Sequence, residues 1–400
     1  MLRIDGFVQH YAWGSTDVLP QFLSRPADGQ PWAEIWFGAH PLAPSTIADG
    51  ARGLDAVIAA APRRMLGDSV MRAFGPALPF LLKLIAPAEP LSLQVHPSKE
   101  HAQESFAAEN AAGIPLDSHG RNYRDANHKP EMLMALTPFE ALCGFRTPRK
   151  ALSIVRGLDT PLSDQLTQLI TEHPSAHGMR AAFRRLVTPA LSPSAEEVGA
   201  LAEACRRRLD SGESPSPRID ATVSTLQAVH PGDPGVAAAL LMNPVSLQPG
   251  EAMFVPDGII HSYQSGLGIE IMASSDNVLR AGLTSKKVDA NELLQCASVA
   301  AAPPIRIGPE QLTENTAAYF SPIDDFELSI TTLPDGASFY PSIRVPGQGP
   351  RILLCIEGDV LLQSDSGRAR VRPGDAVFVS ADDGAVSVGG HGRIVQASVP

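Results

Sequence analysis

At 400 residues, with 44% apolar and 19% charged positions, the chain is long enough for two or three domains and has the composition of a soluble globular protein. Its formal net charge of −11 argues against nucleic acid or an anionic membrane as the main partner, though a local cluster of cations can still hold an anionic small molecule. The 4 cysteines, Cys143, Cys205, Cys296 and Cys355, are scattered without a Cys-x-x-Cys, which excludes a disulfide framework and a thiolate zinc knuckle and suits a reducing cytosol.

The chain opens Met1-Leu2-Arg3-Ile4-Asp5, with no apolar core of a signal peptide, and nowhere reaches the roughly eighteen apolar residues of a membrane span. The expectation is a cytoplasmic protein. Residues 1–50 carry Tyr11-Ala12-Trp13-Gly14-Ser15 and Ala33-Glu34-Ile35-Trp36-Phe37-Gly38-Ala39-His40-Pro41. Trp13, Trp32 and Trp36 all lie here and read as core aromatics that pin the segment onto a barrel. Residues 51–75 read as helical. Phe80–Ile85 and Leu91–His96 are strands divided by Pro87 and Pro90. In the second, Leu91, Leu93 and Val95 point one way and Ser92, Gln94 and His96 the other, the pattern of a strand that lines a site. After a helical and then polar stretch, 97–118, comes a short strand within Asn127–Leu136, with Glu131 at its mouth.

From Thr147 to about His230 the chain reads as a helical insertion. Thr147 can cap a helix with Pro148 at its first position, and Ser194-x-x-Glu197 is a capping-box pattern opening a helix through about Leu209. Strands return over 236–288, a helix follows over Val288–Val299, and from about 320 onward short strands dominate, Phe326–Thr332, Arg351–Glu357 and Val360–Gln363 among them.

One stretch organises the rest. Pro249-Gly250 turns the chain, Ala252–Val255 is an apolar strand, and Pro256-Asp257-Gly258 turns it again. His261 and Tyr263 then open the next strand, two apart and so on one face. The spacing of Gly250, Pro256, Gly258 and His261 resembles the second metal-binding motif of the cupin β-barrels. Pro373-Gly374-Asp375-Ala376-Val377-Phe378-Val379 nearly repeats Pro249–Val255, but no His follows it. The expectation is a mainly β protein of two cupin-type jelly-roll barrels with a helical insertion domain. A metal-binding barrel would span 1–146 and 231–300, the insertion 147–230, and a second barrel without metal 301–400.

Gln94, His96, Glu131 and His261 are the candidate metal ligands, a nitrogen and oxygen set that suits zinc or a similar divalent ion. Glu100, four residues after His96, competes with Glu131, but its surroundings look like an exposed helix start, where the dipole favours Glu. Lys83, Lys129, Arg280 and Lys286 could together hold a phosphate, with Ser92 adding a hydroxyl. Glu270 lies among apolar neighbours, so it either pairs with a cation, has a raised pKa and serves as a general base, or faces water on an edge strand.

Taken in order, the two N-terminal motifs, Leu91-Ser92-Leu93-Gln94-Val95-His96-Pro97, Asn127-His128-Lys129-Pro130-Glu131-Met132 and Ser275-Asp276-Asn277-Val278-Leu279-Arg280-Ala281-Gly282-Leu283-Thr284 resemble the type I mannose-6-phosphate isomerases. The resemblance runs to about residue 290; beyond that the chain resembles only a degenerate cupin. It implies a zinc-dependent aldose–ketose isomerase that interconverts mannose 6-phosphate and fructose 6-phosphate through a cis-enediolate. It implies one Zn2+ per chain, held by Gln94, His96, Glu131 and His261, and an essential Arg280. It places Ser92, Lys83, Lys129, Tyr263, Glu270 and Lys286 in the substrate pocket. Glu270 is the first choice as proton-shuttling base, with His128 and Lys129 in reserve. A phosphosugar is the expected partner of a monomeric chain, with no nucleic acid and no membrane. Ser285, where many members have Pro, and Ala12, where some have Asp, depart from the pattern. An iron(II) cupin dioxygenase and a non-catalytic sugar-binding cupin are the competing readings, disfavoured by Gln94 with the cations and by the presence of both Glu270 and Arg280.

Overall fold

Strands near the middle of the chain alternate between two buried environments, and this alternation builds the molecule. In the computed structural model, which describes residues 1–48, 50, 52–334 and 340–400, the first sheet is antiparallel. Its spatial order is Ile305–Ile307, Ala252–Val255, Glu131–Ala135, Gly268–Ala273, Phe80–Ile85, Glu34–Phe37 and Phe7–Gln9. Leu82, Leu84, Met132, Met134, Phe254, Ile269 and Ile271 face one core. Their neighbours Leu133, Ala135, Met253 and Val255 face another, as the period of two requires.

That second core is closed by a smaller sheet in the order Leu279–Gly282, Leu93–Val95, His261–Ser265, Phe139–Phe145 and Met242–Leu247. Phe139, Ala141, Cys143 and Tyr263 point inward to it. Leu93, Val95, Leu142, Ile260 and Leu279 point outward, onto the helices. Of the apolar back expected at 91–96, Leu93 and Val95 are therefore buried under the helical insertion, whereas Leu91 precedes the strand Leu93–Val95 and packs into the inner core.

Five helices, Pro148–Val155, Pro161–Glu172, Ala176–Val187, Ala195–Asp210 and Pro217–Val229, make up most of that insertion. Its local signals hold: Thr147 caps the first helix through Lys150 N at 3.2 Å, with Pro148 leading. Ser194 and Glu197 form both bonds of the capping box. Among these helices Arg208 is clamped on Asp220 by two bonds of 2.6 and 2.5 Å, and donates to Ile154 O at 2.7 Å.

The third sheet holds ten strands and contains both the C-terminal strands and the chain's first, Leu2–Asp5, which pairs with Ala376–Val379. Arg351–Ser364 is one strand rather than two; a register shift between Cys355 and Glu357 bends it without ending it. The outer core of the first sheet is shared with Ile352, Leu354, Phe378 and Val395 of this sheet and with the helices Leu54–Ala60 and Pro62–Phe74. The molecule is mainly β, built on three sheets whose strand orders run open among the described residues. No helix among these residues is long and apolar enough to cross a membrane.

The sequence echo is a structural one. Gly250 and Gly374 both take φ near +87, at +86 and +87, and lead into the strands Ala252–Val255 and Ala376–Val379. Past the strands the copies part. Gly258, at φ +76, donates its N–H to His96 O at 2.8 Å, which sets His261 beside His96. In the second copy Ser380 and Asp383 close a capping turn instead.

Candidate active site

His96, Glu131 and His261 come from three strand regions of the two facing sheets, and each is nearly or fully buried. His96 Nε2 lies 3.1 Å from Glu131 Oε1, and His261 Nε2 lies 3.3 Å from Glu131 Oε2. The opposite ring nitrogens are committed: His96 Nδ1 donates to Asn277 O at 2.8 Å and His261 Nδ1 to Ile259 O at 3.0 Å. That fixes the tautomer and turns each Nε2 lone pair toward the same point. Neither Nε2 has a hydrogen-bond partner, an unusual state for a buried polar atom. Burial, with Lys129 adding to it, pushes His96 down to about 4, so the ring is neutral at physiological pH. Glu131 is held well below the usual carboxylate range; burial opposes this, but the positive charge of Lys129 at 3.4 Å favours the ionised form. Gln94 sits directly opposite His261 and Arg280 in the sheet and, like Glu131, lines the cavity between the two sheets. Two unprotonated imidazole nitrogens, a carboxylate and a neighbouring amide fit a divalent ion of borderline softness. Glu100 lies away from this group, in the exposed first turn of the helix Lys99–Ala111.

The cavity between the sheets has a volume of about 840 Å³. Its inner wall carries a row that follows from strand register, because Lys83 pairs with Trp36 on one side and Glu270 on the other. Lys83 Nζ is 2.8 Å from Glu270 Oε2, 3.8 Å from Glu34 Oε2, and 5.0 Å from the centre of the Trp36 ring. Burial lowers the Lys83 pKa, but Glu270 and Glu34 more than reverse this, so the ammonium persists. Glu270 is pushed up to about 6 by burial and by the charge of Glu131, against the pull of Lys83. Lys129 Nζ approaches Glu131 Oε1 at 3.4 Å. The Tyr263 hydroxyl donates to Glu131 Oε2 at 3.1 Å.

Toward solvent the cavity is bordered by Ser92, Arg124, Arg280, Lys286 and Lys287. Burial lowers the Arg280 pKa, and burial together with Arg280 lowers that of Lys286. Two like charges thus face one opening, which is how an anion is received.

Nine of the twelve residues singled out from the sequence therefore line one cavity, and His96 and His261 adjoin it through Glu131. His128 does not line it. Its ring lies between Asp257 and Asp325, at 3.2 and 3.1 Å. Glu34 escaped the sequence reading, although it shares with Glu270 the signature of an acid inside an apolar strand, and it accepts from Trp36 Nε1 at 2.6 Å. Trp13 and Trp36 border the cavity as well as the core. A second grouping, His101, Glu292 and Cys296, is closed by its own bonds: Glu292 Oε1 accepts from His101 and from Tyr123, both at 2.6 Å.

Residues 1–148 match the family model for the phosphomannose isomerase type I catalytic domain, and residues 316–399 that for the mannose-6-phosphate isomerase cupin domain. The chain is 37% identical to mannose-6-phosphate isomerase of Escherichia coli (strain K12), covering 99% of each. It is 33% identical to mannose-6-phosphate isomerase 1 of Arabidopsis thaliana, over 95% of this chain and 89% of the relative. A crystal structure of mannose 6-phosphate isomerase bound with zinc and yttrium superposes with a TM-score of 0.88 at 34% identity, covering 100% of this chain and 99% of that one.

Proposed function

The chain belongs to the type I phosphomannose isomerase family, and from that premise we propose that it interconverts D-mannose 6-phosphate and D-fructose 6-phosphate through a cis-enediolate. One bound Zn2+ would be held by Gln94, His96, Glu131 and His261. The observation that carries this reading is the content of a single cavity. A buried carboxylate poised near neutrality, the side chains of Gln94 and Glu131, and an opening lined with cations border it, and the unpaired nitrogens of His96 and His261 lie against Glu131.

Glu270 is the base of this proposal. A carboxylate near pH 6 is ionised in the cell yet basic enough to take the proton from C2 of the open-chain aldose and return it to C1. As the carbonyl moves from C1 to C2, the hydroxyl proton passes from O2 to O1. Lys83 holds Glu270 in place through the 2.8 Å contact and keeps its charge countered inside the low-dielectric wall. Zinc, when bound, supplies a Lewis acid that polarises and orients the sugar oxygens. Tyr263 and Lys129 fix the Glu131 carboxylate from two sides. Arg280 and Lys286, with Ser92, receive the phosphate or balance the enediolate charge. His128 keeps no proton-transfer role in this scheme, because it faces Asp257 and Asp325 rather than the cavity.

In the same reading the two facing sheets form one cupin-type jelly roll, built mainly from residues 1–146 and 231–300, with Ile305–Ile307 added at its edge and Leu2–Asp5 lent to the C-terminal sheet. The insertion covers 147–230, and residues 301–400 form a second, metal-free jelly roll. We take the enzyme to be a cytoplasmic monomer. Running the reaction in heavy water tests the enediolate. Deuterium should accumulate at C1 of fructose 6-phosphate as the sugars equilibrate repeatedly, whereas prolonged turnover without incorporation would point to a hydride shift and remove Glu270 from the scheme.

A further inference from the structure

We propose that Asp325, contributed by the C-terminal part of the chain, is a positioning residue for the metal-binding segments, acting through His128 and Asp257. This rests on the reading that Glu131 and His261 hold a metal.

Both nitrogens of the His128 ring meet carboxylates, Nδ1 at Asp257 Oδ2 (3.2 Å) and Nε2 at Asp325 Oδ1 (3.1 Å). A carboxylate only accepts, so satisfying both bonds requires the imidazolium. The three side chains are 14%, 24% and 8% exposed, which keeps water from screening the pairs. What the ring joins matters more than its charge. His128 lies three residues before Glu131 and next to Lys129, which borders the cavity. Asp257 sits in the turn four residues before His261, and the next residue of that turn, Gly258, donates to His96 O at 2.8 Å. One imidazolium therefore ties the segments that carry Glu131 and His261 at their shared end, where Val255 pairs with Glu131.

The outer anchor is firm. Asp325 is followed by the fully buried Phe326, whose carbonyl accepts from Ser321 Oγ at 2.6 Å. At the other end of the strand Ala252–Val255, Tyr319 OH donates to Gly250 O at 2.7 Å. The C-terminal part thus grips both ends of the strand that aligns the metal segments, so its task extends beyond walling off the outer face of the sheet.

The test uses zinc alone as probe. Zinc affinity is measured by chelator competition on full-length wild type, Asp325→Asn and Thr331→Val, together with kcat, KM and thermal unfolding. Thr331 makes a buried 2.9 Å bond to Thr316 within the C-terminal sheet and touches no part of the clasp. Asp325→Asn should lose several-fold in zinc affinity, less than the roughly tenfold or more that follows removal of a group bonded directly to a ligand, and lower kcat with KM little changed. Thr331→Val should lose thermal stability while keeping zinc affinity. Wild-type zinc affinity in Asp325→Asn would overturn the proposal, as would an equal loss in Thr331→Val, which would make the effect one of general stability. A wild type that binds no zinc would overturn the metal-site reading and this proposal together; a wild type that binds zinc no more tightly than Asp325→Asn would overturn this one alone.

Discussion

Glu270→Gln keeps the shape of a buried side chain and removes its charge and its basicity. Three effects can be worked from the structure. The barrier should rise by what a positioned general base contributes, roughly 10²–10⁴-fold in turnover or about 3–5 kcal/mol. Lys83 would lose its 2.8 Å partner but keep Glu34 at 3.8 Å and the Trp36 ring at 5.0 Å. Breaking a buried pair outright costs roughly 3–5 kcal/mol, so with one carboxylate remaining the expected loss of stability is about 2 kcal/mol. The third effect is on pH. Because the wild-type carboxyl sits at about 6, its base form is lost as pH falls through that value, and kcat/KM should fall with it. In the variant that acid limb should vanish. The assay is fructose 6-phosphate formation across a pH series on protein shown by thermal denaturation to be folded. A folded variant that keeps wild-type turnover and its acid limb would refute Glu270 as the base and turn attention to Lys129.

Other consequences follow from the same contacts. Tyr263→Phe removes the donor to Glu131 Oε2, and zinc affinity measured by chelator competition should drop roughly tenfold with no change of fold. Asp220→Asn leaves Arg208 buried without its counter-ion inside the insertion and should cost roughly 3–5 kcal/mol in denaturant unfolding, while the folded fraction keeps its kcat. His128 gives a stability signature of defined sign. Burial lowers its pKa, but the bonds to Asp257 and Asp325 lift it from 6.5 to about 9. Its contribution, up to about 3 kcal/mol, should be complete below the unfolded value of 6.5 and lost as pH rises through about 9. The difference in unfolding free energy between wild type and His128→Gln, followed across that window, isolates it; a difference that does not shrink with rising pH would contradict the ion triad.

Most of the site could be read from residues 80–131 and 249–286 because β alternation is a local code. Ser92, Gln94 and His96 share a strand face whatever the strand pairs with, and so do His261 and Tyr263. Thr147-Pro148 and Ser194-x-x-Glu197 were equally local, since a cap is satisfied within one helical turn. What escaped depends on pairing across long stretches of chain. Nothing near Leu2 announces that its strand lies against Ala376–Val379. Glu34 becomes a partner of Lys83 only through the register of two strands far apart in sequence. His128 neighbours Lys129 in every motif, yet it turns away because the carboxylates that draw it come from positions 257 and 325. Arg351–Ser364 reads as two strands around Gly358-Asp359, and only its partner Val386–Ser398 carries the ladder through the bulge.

Turnover of mannose 6-phosphate by the purified protein before chelation, after chelation, and after zinc is restored tests the metal-dependent isomerase most directly. Isomerase activity should disappear with the metal and return with it, since the unpaired nitrogens of His96 and His261 converge beside Glu131 on one point. Turnover indifferent to thorough chelation would contradict the metal centre while leaving the substrate assignment in place.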